Sequence, residues 1–244
     1  MKETMDSIAA RADDCMGRGD WDGAERIFLA ALTEAEETGD RRAALSLCSE
    51  LMGFYRQRGD AEKFYPVLGR CTELLGEVRP GAAARGTILI NAATALAAFG
   101  EAQRALPLFR EAESLYAVSL GADHPRLAAL YNNMAAALDA LHRPDEAERY
   151  MLRALENQKK RPGDLDLAVT YVNLAQHYAA QDENDARIAA CLDKAMERMD
   201  SPDAVWEYYY AHTARKIAPA LEGLWFGEDR EACTVARHLA AGAE

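Results

Sequence analysis

The sequence lacks an excess of positive charge. Among its 244 residues, 40 Asp and Glu outnumber 28 Lys and Arg, which leaves a formal net charge of −12. Nucleic acids and anionic membranes are bound through positively charged surfaces, so neither is expected as a partner. Basic or apolar protein segments remain compatible with such an acidic chain.

The sequence also lacks long apolar runs. No segment reaches the roughly 18 uninterrupted apolar residues of a membrane-spanning helix. The opening residues MKETMDSIAARADD place acids where a secretory signal has its apolar core. We therefore expect a cytoplasmic protein.

Catalytic and metal-binding patterns are missing as well. The five cysteines form no CxxC motif and no close group with histidine, so free thiols in a reducing compartment are expected. The five histidines are spread along the chain without an HExxH motif, and no Ser-His-Asp motif or phosphate-binding glycine loop stands out. We predict no cofactor, no metal and no enzymatic activity.

What the sequence does have is helical periodicity. Half of its residues are hydrophobic, and only 8 are proline and 16 glycine, which favours an all-α protein. In 121–157, two apolar stripes with steps of three and four residues flank a polar turn at 142–145. The stripes consist of Leu127, Leu130, Tyr131, Met134, Ala135 and Leu138, and of Ala147, Met151, Ala154 and Leu155. Such a helical hairpin buries both faces only between copies of itself.

This stretch resembles the tetratricopeptide repeat, in which a large residue, a large-small pair and a large residue precede Ala, aromatic, Ala. Met151 stands where an aromatic residue is usual. Asp123-His124-Pro125, followed by Ala128 and by the run at 132–135, is similar to the longer repeats of kinesin light chains and their bacterial relatives. The resemblance implies a right-handed α-solenoid.

Equivalent positions recur along the whole chain. The second-helix Ala position is occupied, at spacings of 40, 41, 42 and 41 residues, by Ala31, Cys71, Ala112, Ala154 and Ala195. A spacing of about 41 residues is again similar to the kinesin-light-chain type. We predict a single array over 1–244 with about six hairpins and twelve helices. The hairpins are expected at approximately 5–40, 41–80, 82–119, 124–160, 164–200 and 201–242.

Several positions predict local details of these hairpins. The dipeptides at 19–20 and 59–60 are both Gly-Asp and predict turns, since Gly accepts a left-handed conformation and Asp caps the next helix. Pro66 and Pro107 are expected near helix starts, where a missing N–H is tolerated. Phe64 stands where Ala is expected, so the packing there must differ locally.

Three asparagines recur at one position of the first helices. Asn91, Asn133 and Asn173 each precede the large-small pair or its equivalent, at spacings of 42 and 40 residues. In tetratricopeptide proteins the first helices line a concave face, so the resemblance implies a ladder of amides there. An amide can pair with the backbone of an extended peptide, because it offers both a donor and an acceptor. The alternative is that these amides stabilise packing between neighbouring helices and bind nothing.

Other side chains are candidates for the same groove. Asn132, Gln176 and the cation Arg56 are placed there, and Asp139 and Val172 are expected on its weakly polar floor. Arg56 is alternatively an ordinary solvated side chain. Carboxylate-clamp tetratricopeptide domains place Lys and Arg beside the Asn, and their absence argues against recognition of a C-terminal carboxylate.

The densest aromatic run lies in the predicted closing repeat. Aromatic side chains are enriched at interfaces, so we consider Trp206, Tyr209 and Tyr210 a candidate surface for a partner or a homodimer. The alternative is ordinary core packing within that repeat.

The sequence therefore predicts a non-catalytic module that binds a segment of another protein in the concave groove. Two alternatives remain open, a peptide-sensing regulatory protein and a structural homo-oligomer assembled through the terminal repeats. A repeat fold defines a surface and leaves the choice of partner to a few side chains.

Overall fold

The computed structural model describes residues 4–159, 165–181 and 185–199, and these residues form ten α-helices. None of the ten is long and apolar enough to cross a membrane. Contacts divide the chain into two compact units, Met1–Ala122 and Asp123–Glu244. The predicted closing repeat at 201–242 lies outside the described residues.

The first unit contains three helical hairpins. Its helices are α1 (Met5–Gly17), α2 (Trp21–Glu37), α3 (Arg41–Arg58), α4 (Ala61–Val78), α5 (Ala82–Ala98) and α6 (Ala102–Ser119). Consecutive helices pair as α1–α2, α3–α4 and α5–α6, and α3 also packs against α1, α2 and α5. These pairs coincide with the first three predicted hairpins.

The second unit contains two further hairpins. Its helices are α7 (Pro125–Ala140), α8 (Pro144–Lys159), α9 (Leu165–Ala180) and α10 (Asp185–Met199). They pair as α7–α8 and α9–α10, and both α7 and α8 contact α9. These pairs lie within the predicted hairpins at 124–160 and 164–200, and the all-α fold class is confirmed.

The predicted Gly-Asp turns have the expected geometry. Gly19 and Gly59 adopt φ angles of 77° and 74°, in the left-handed region that favours glycine. The aspartate after each accepts a hydrogen bond from a backbone N–H three residues later, at 2.8 and 3.1 Å. Gly39 and Asp40 repeat this arrangement between the first two hairpins. His142 holds the equivalent turn position after α7 with a φ of 56°.

Pro66 and Pro107 lie deeper in their helices than predicted. Each follows the first residue of its helix, in α4 and α6, by five positions. A proline there removes the hydrogen bond to the carbonyl four residues earlier, which belongs to Glu62 or Gln103. Both prolines and both of these residues are exposed, so we infer that water can satisfy the freed carbonyls. Solvent exposure, and not a first-turn position, makes the prolines tolerable.

Phe64 shows how the second hairpin adapts to its irregular sequence. Its ring is fully buried, with a centroid 5.1 Å from that of Phe99 at the end of α5. The large ring at an Ala position thus contacts the third hairpin. The predicted local change in packing is an aromatic contact between neighbouring hairpins.

A buried carboxylate joins the first two hairpins. Glu25 on α2 is 8% exposed and accepts hydrogen bonds from Tyr55 Oη at 2.9 Å, Arg58 Nη1 at 2.9 Å and Lys63 Nζ at 2.7 Å. Burial raises the pKa of Glu25, but the hydrogen bonds from Lys63 and Tyr55 and the nearby positive charges lower it more. The net pKa lies below its ordinary value of 4.5, so the carboxylate is ionised in the folded protein at neutral pH.

The second unit repeats this arrangement. Glu148 on α8 accepts hydrogen bonds from Tyr178 Oη and Arg187 Nη2, both at 2.7 Å. The Arg187 guanidinium also lies 3.9 Å from the centroid of the Tyr178 ring. The hydrogen bond from Tyr178 lowers the pKa of Glu148, as do the hydrogen bond and charge of Arg187, and together they outweigh burial.

The described cysteines are free thiols. They are Cys15, Cys48, Cys71 and Cys191, of which the first three are buried. Burial raises the pKa of Cys48 to about 11 and that of Cys71 to about 12. Both thiols therefore stay protonated and unreactive near neutral pH.

Two helical glycines should respond oppositely to alanine. A Cβ added at Gly86 would lie 2.7 Å from ring carbons of Tyr116, which is 2% exposed. The Tyr116 hydroxyl bonds Thr87 Oγ1 at 2.7 Å and holds the ring in place. We expect Gly86→Ala to lower the free energy of unfolding by about 1–3 kcal/mol, because this overpacking outweighs the better helix propensity of alanine.

Gly69 provides the matched control for that substitution. It is exposed within α4, and a Cβ there would meet nothing within 4 Å. Gly69→Ala should raise the free energy of unfolding by about 0.5–1 kcal/mol through helix propensity. Urea unfolding followed by circular dichroism measures both changes. A stabilising Gly86→Ala substitution would show that the Tyr116 ring moves freely.

Candidate functional site

A groove of about 440 Å³ lies between α7 and α9 in the second unit. Five amide side chains line it, those of Asn132, Asn133, Asn173, Gln176 and Gln181. The other lining residues are Ala136, Asp139, His142, Met151, His177 and Ala180. We call this surface the α7–α9 groove.

Helical spacing explains why these side chains share one surface. Residues three, four and seven positions apart lie on the same face of a helix. On α7 the lining positions are 132, 133, 136 and 139, and on α9 they are 173, 176, 177 and 180. Each helix therefore presents one nearly continuous polar face with a small residue at its centre or end.

Five of the residues predicted from the sequence to lie in the groove line it: Asn132, Asn133, Asp139, Asn173 and Gln176. Val172 does not join them, because it is fully buried in the core. One residue before Asn173, its side chain is rotated by about 100° around the helix axis and points into the core. The predicted partner surface at Trp206, Tyr209 and Tyr210 lies outside the described residues.

Asn132 connects the two helices of the groove. Its Nδ2 donates to Thr170 Oγ1 at 2.7 Å, and Thr170 donates in turn to the Asp166 carbonyl at 2.9 Å. Thr170 is fully buried, and Asn132 Oδ1 is a buried acceptor that finds no hydrogen-bond partner among the described residues. The donor side of this amide therefore serves packing between α7 and α9.

The side-chain amide of Asn173 is more available for a bound chain than that of Asn132. It is half-buried, and within residues 4–159, 165–181 and 185–199 the structure gives its side chain no hydrogen-bond partner. An amide in this state has a donor and an acceptor to offer a bound chain. Asn133 is also half-buried, and Gln176 is exposed.

An acid–imidazole pair lies in the same groove. His177 Nδ1 is 2.8 Å from Asp139 Oδ1, and the two side chains are 3% and 29% exposed. Burial raises the pKa of Asp139, and the charge and hydrogen bond of His177 oppose the change without cancelling it. His177 is not among the groove residues predicted from the sequence, because it belongs to no metal-binding motif. Its position four residues after Asn173 is the signal that places it on the groove face.

Two predicted site residues belong to the first unit. Asn91 Nδ2 donates to Ser49 Oγ at 2.9 Å, and Ser49 is 4% exposed. This bond joins α5 to α3, which is the packing role that the alternative interpretation predicts. Arg56 on α3 is half-buried, burial lowers the pKa of its guanidinium, and the described residues provide it no carboxylate partner.

The chemistry of the α7–α9 groove is that of recognition through hydrogen bonds. Its amides offer donors and acceptors at close intervals, and Asp139 adds one carboxylate. Within the part of the chain that the structure describes, no three His, Cys, Asp or Glu side chains form a group able to hold a metal ion.

Comparison with known proteins identifies the repeat type. Residues 84–160 match the tetratricopeptide repeat family. The chain is similar to BtubC (BKLC) from P. vanneervenii, at 25% identity and a TM-score of 0.69, over 79% of this chain and 78% of that one. No curated protein matches the sequence.

Two further solved structures share the fold. One holds the nearly identical TPR-like repeats of a putative kinesin light chain from Podosopora anserina, at 18% identity and a TM-score of 0.67, over 80% of this chain and 96% of that one. The other is MamA, at 18% identity and a TM-score of 0.51, over 77% and 93% of the two chains.

These matches agree with the helical hairpins of the described residues. The family match spans α5 to α8, and the structural similarity extends over about 79% of the chain. Residues 84–160 therefore carry tetratricopeptide repeats, and the helical hairpins of the described residues have a fold similar to that of kinesin-light-chain repeats.

Proposed function

We propose that this protein is a non-catalytic interaction module that holds an extended segment of another protein in the α7–α9 groove. Tetratricopeptide repeats generally act as scaffolds for protein–protein contacts. The observation that carries the proposal is the convergence of five amide side chains on one groove of about 440 Å³.

The groove suits an extended backbone for two physical reasons. Amides pair with the N–H and C=O groups of a peptide whatever its side chains are, and Asn173 has both halves of its amide available. Ala136 and Ala180 keep the faces of α7 and α9 low, which leaves room for a chain between the amides. The volume falls within the roughly 300–1,000 Å³ typical of ligand clefts.

In the first unit, Asn91 and Arg56 are the residues that we propose contact the partner. Asn91 uses one N–H of its side-chain amide on Ser49, which leaves the second N–H and the side-chain oxygen for a partner. Arg56 supplies a half-buried cation, and an acidic group of the partner would compensate its burial. Single alanine variants at the two positions test these contributions separately from the α7–α9 groove.

The proposal predicts that groove amides govern peptide affinity. Peptides selected from a displayed random library on the full chain should bind the Asn133→Ala/Asn173→Ala variant about 10- to 100-fold more weakly. The loss corresponds to about two hydrogen bonds, each contributing about 0.5–1.5 kcal/mol. Fluorescence polarisation with labelled peptides measures the affinities, after circular dichroism has shown equal helicity for both proteins.

The matched control is Gln103→Ala, which removes an exposed amide on α6. This variant should bind the same peptides as tightly as the unmodified protein does. Equal affinity for the double variant would contradict the groove proposal. Failure to select peptides, together with a molecular mass that rises with concentration, would favour the structural homo-oligomer.

A further inference from the structure

We infer that the α7–α9 groove selects a segment carrying a lysine or arginine whose charged group is bound by Asp139. This inference rests on the proposed function, because it names the chemical character of the segment held in the same groove. Asp139, His177 and the charges around them carry the argument.

The geometry leaves one Asp139 oxygen for a ligand. Oδ1 lies 2.8 Å from His177 Nδ1, a contact that fixes the carboxylate against α9. The structure records no partner for Oδ2 among the described residues, and the Asp139 side chain keeps 29% of its surface exposed in the groove. A cation placed against Oδ2 would complete the coordination of a carboxylate that is already oriented.

The charges that surround the groove favour a cationic ligand. Asp139 is the acidic residue among those that line it, and the lining side chains of the described region include no lysine or arginine. Glu148 on α8, whose Tyr178 partner follows His177 in the sequence, is already paired with Arg187. His142, exposed at the rim, and the buried His177 are the remaining titratable groups on the lining.

Because Asp139 is partly buried, a cation from the ligand would stabilise its charged form. Partial burial disfavours the charged form of Asp139, and His177 compensates this only in part. A Lys or Arg side chain supplies the missing opposite charge, through a charge-assisted hydrogen bond that is stronger than one between neutral groups. The net charge of −12 adds a long-range attraction for basic segments.

Repeated selection from a displayed library of random peptides tests the inference on the full chain. The selections would use the unmodified protein, Asp139→Asn, Asp139→Lys and the charge-matched control Glu156→Gln, which alters an exposed acid on α8. Asn at 139 keeps an oxygen for His177, so the helix contact is preserved while the charge is lost. Circular dichroism and thermal unfolding would confirm that each variant is folded.

We expect peptides with Lys or Arg at one fixed position from the unmodified protein and from Glu156→Gln. Those peptides should bind Asp139→Asn about 10-fold or more weakly, the loss expected for a hydrogen bond to a charged group. Asp139→Lys should instead select Asp or Glu at that position.

Two results would overturn the inference, and they differ in what they say about the groove. Peptides that need Asn133 and Asn173 but show no basic preference would refute the role of Asp139 and leave the proposed function standing. Peptides that bind the Asn133→Ala/Asn173→Ala variant undiminished would refute the groove and this inference together.

Discussion

Truncating Phe109 to alanine should lower the free energy of unfolding by about 3–5 kcal/mol. Phe109 lies on α6 at the aromatic position of the third hairpin and is 0% exposed. The substitution removes a buried ring and leaves a cavity that the close-packed helices fill only in part. Stability in repeat proteins depends on each repeat and its neighbours, so the effect should be largest in α5 and α6.

Hydrogen–deuterium exchange of peptides from α5 and α6 measures this loss locally, and urea unfolding measures it globally. Val118→Ala is the matched control, since Val118 is on the same helix and 88% exposed. The control should change stability by less than about 0.5 kcal/mol. A loss below about 1 kcal/mol for Phe109→Ala would show that the hairpin collapses around the missing ring.

Replacing Glu25 by alanine should lower the free energy of unfolding by about 2–3 kcal/mol. Most of this loss of stability comes from the buried Tyr55 hydroxyl, which would lose the acceptor that lies 2.9 Å away. Arg58 and Lys63 are partly exposed and can turn to water, which limits the cost of losing their bonds. The double variant Glu25→Ala/Tyr55→Phe should recover part of the loss, because no unpaired hydroxyl remains buried.

The pH dependence of unfolding gives a second measurement at Glu25. The folded pKa lies below the unfolded value of 4.5, so the contribution of Glu25 is fully present above pH 4.5. It is lost as pH falls from 4.5 through the lower folded pKa, because in this range the unfolded chain binds a proton at Glu25 that the folded protein does not, and acid therefore favours unfolding. Glu25→Gln should therefore show a weaker loss of stability with acid than the unmodified protein. Identical acid profiles for the two proteins would contradict the assigned role of the carboxylate.

The hydrogen-bonded pair of Glu25 and Tyr55 recurs as Glu148 and Tyr178, and the sequence shows the spacing of these residues but not their contact. Glu25 and Tyr55 are 30 residues apart, and so are Glu148 and Tyr178. Leu96 stands one repeat after Tyr55 at the same position, so the polar pair does not occur in every hairpin. Periodicity alone therefore identifies the positions, while the pairing of the side chains becomes clear only in three dimensions.

The sequence by itself indicated an all-α chain of helical hairpins and the approximate range of each hairpin. These features depend on local signals, such as the left-handed glycines at 19 and 59 and the aspartate caps that follow them. The small residues Ala24, Ala105 and Ala147, all fully buried, recur at positions where paired helices approach closely. Local signals also misplaced Pro66 and Pro107 by about a turn, because the sequence does not show which carbonyls face water.

Only the tertiary structure decided which side chains meet across hairpins. The contacts of Asn132 with Thr170 and of Asp139 with His177 each join residues 38 positions apart. The repeat pattern predicts the face on which such residues lie, but the distance between two helices and their side-chain rotamers settle which atoms touch. For this reason an equally spaced set of asparagines has different roles: Asn91 bonds a buried serine, whereas Asn173 faces a groove with its amide available.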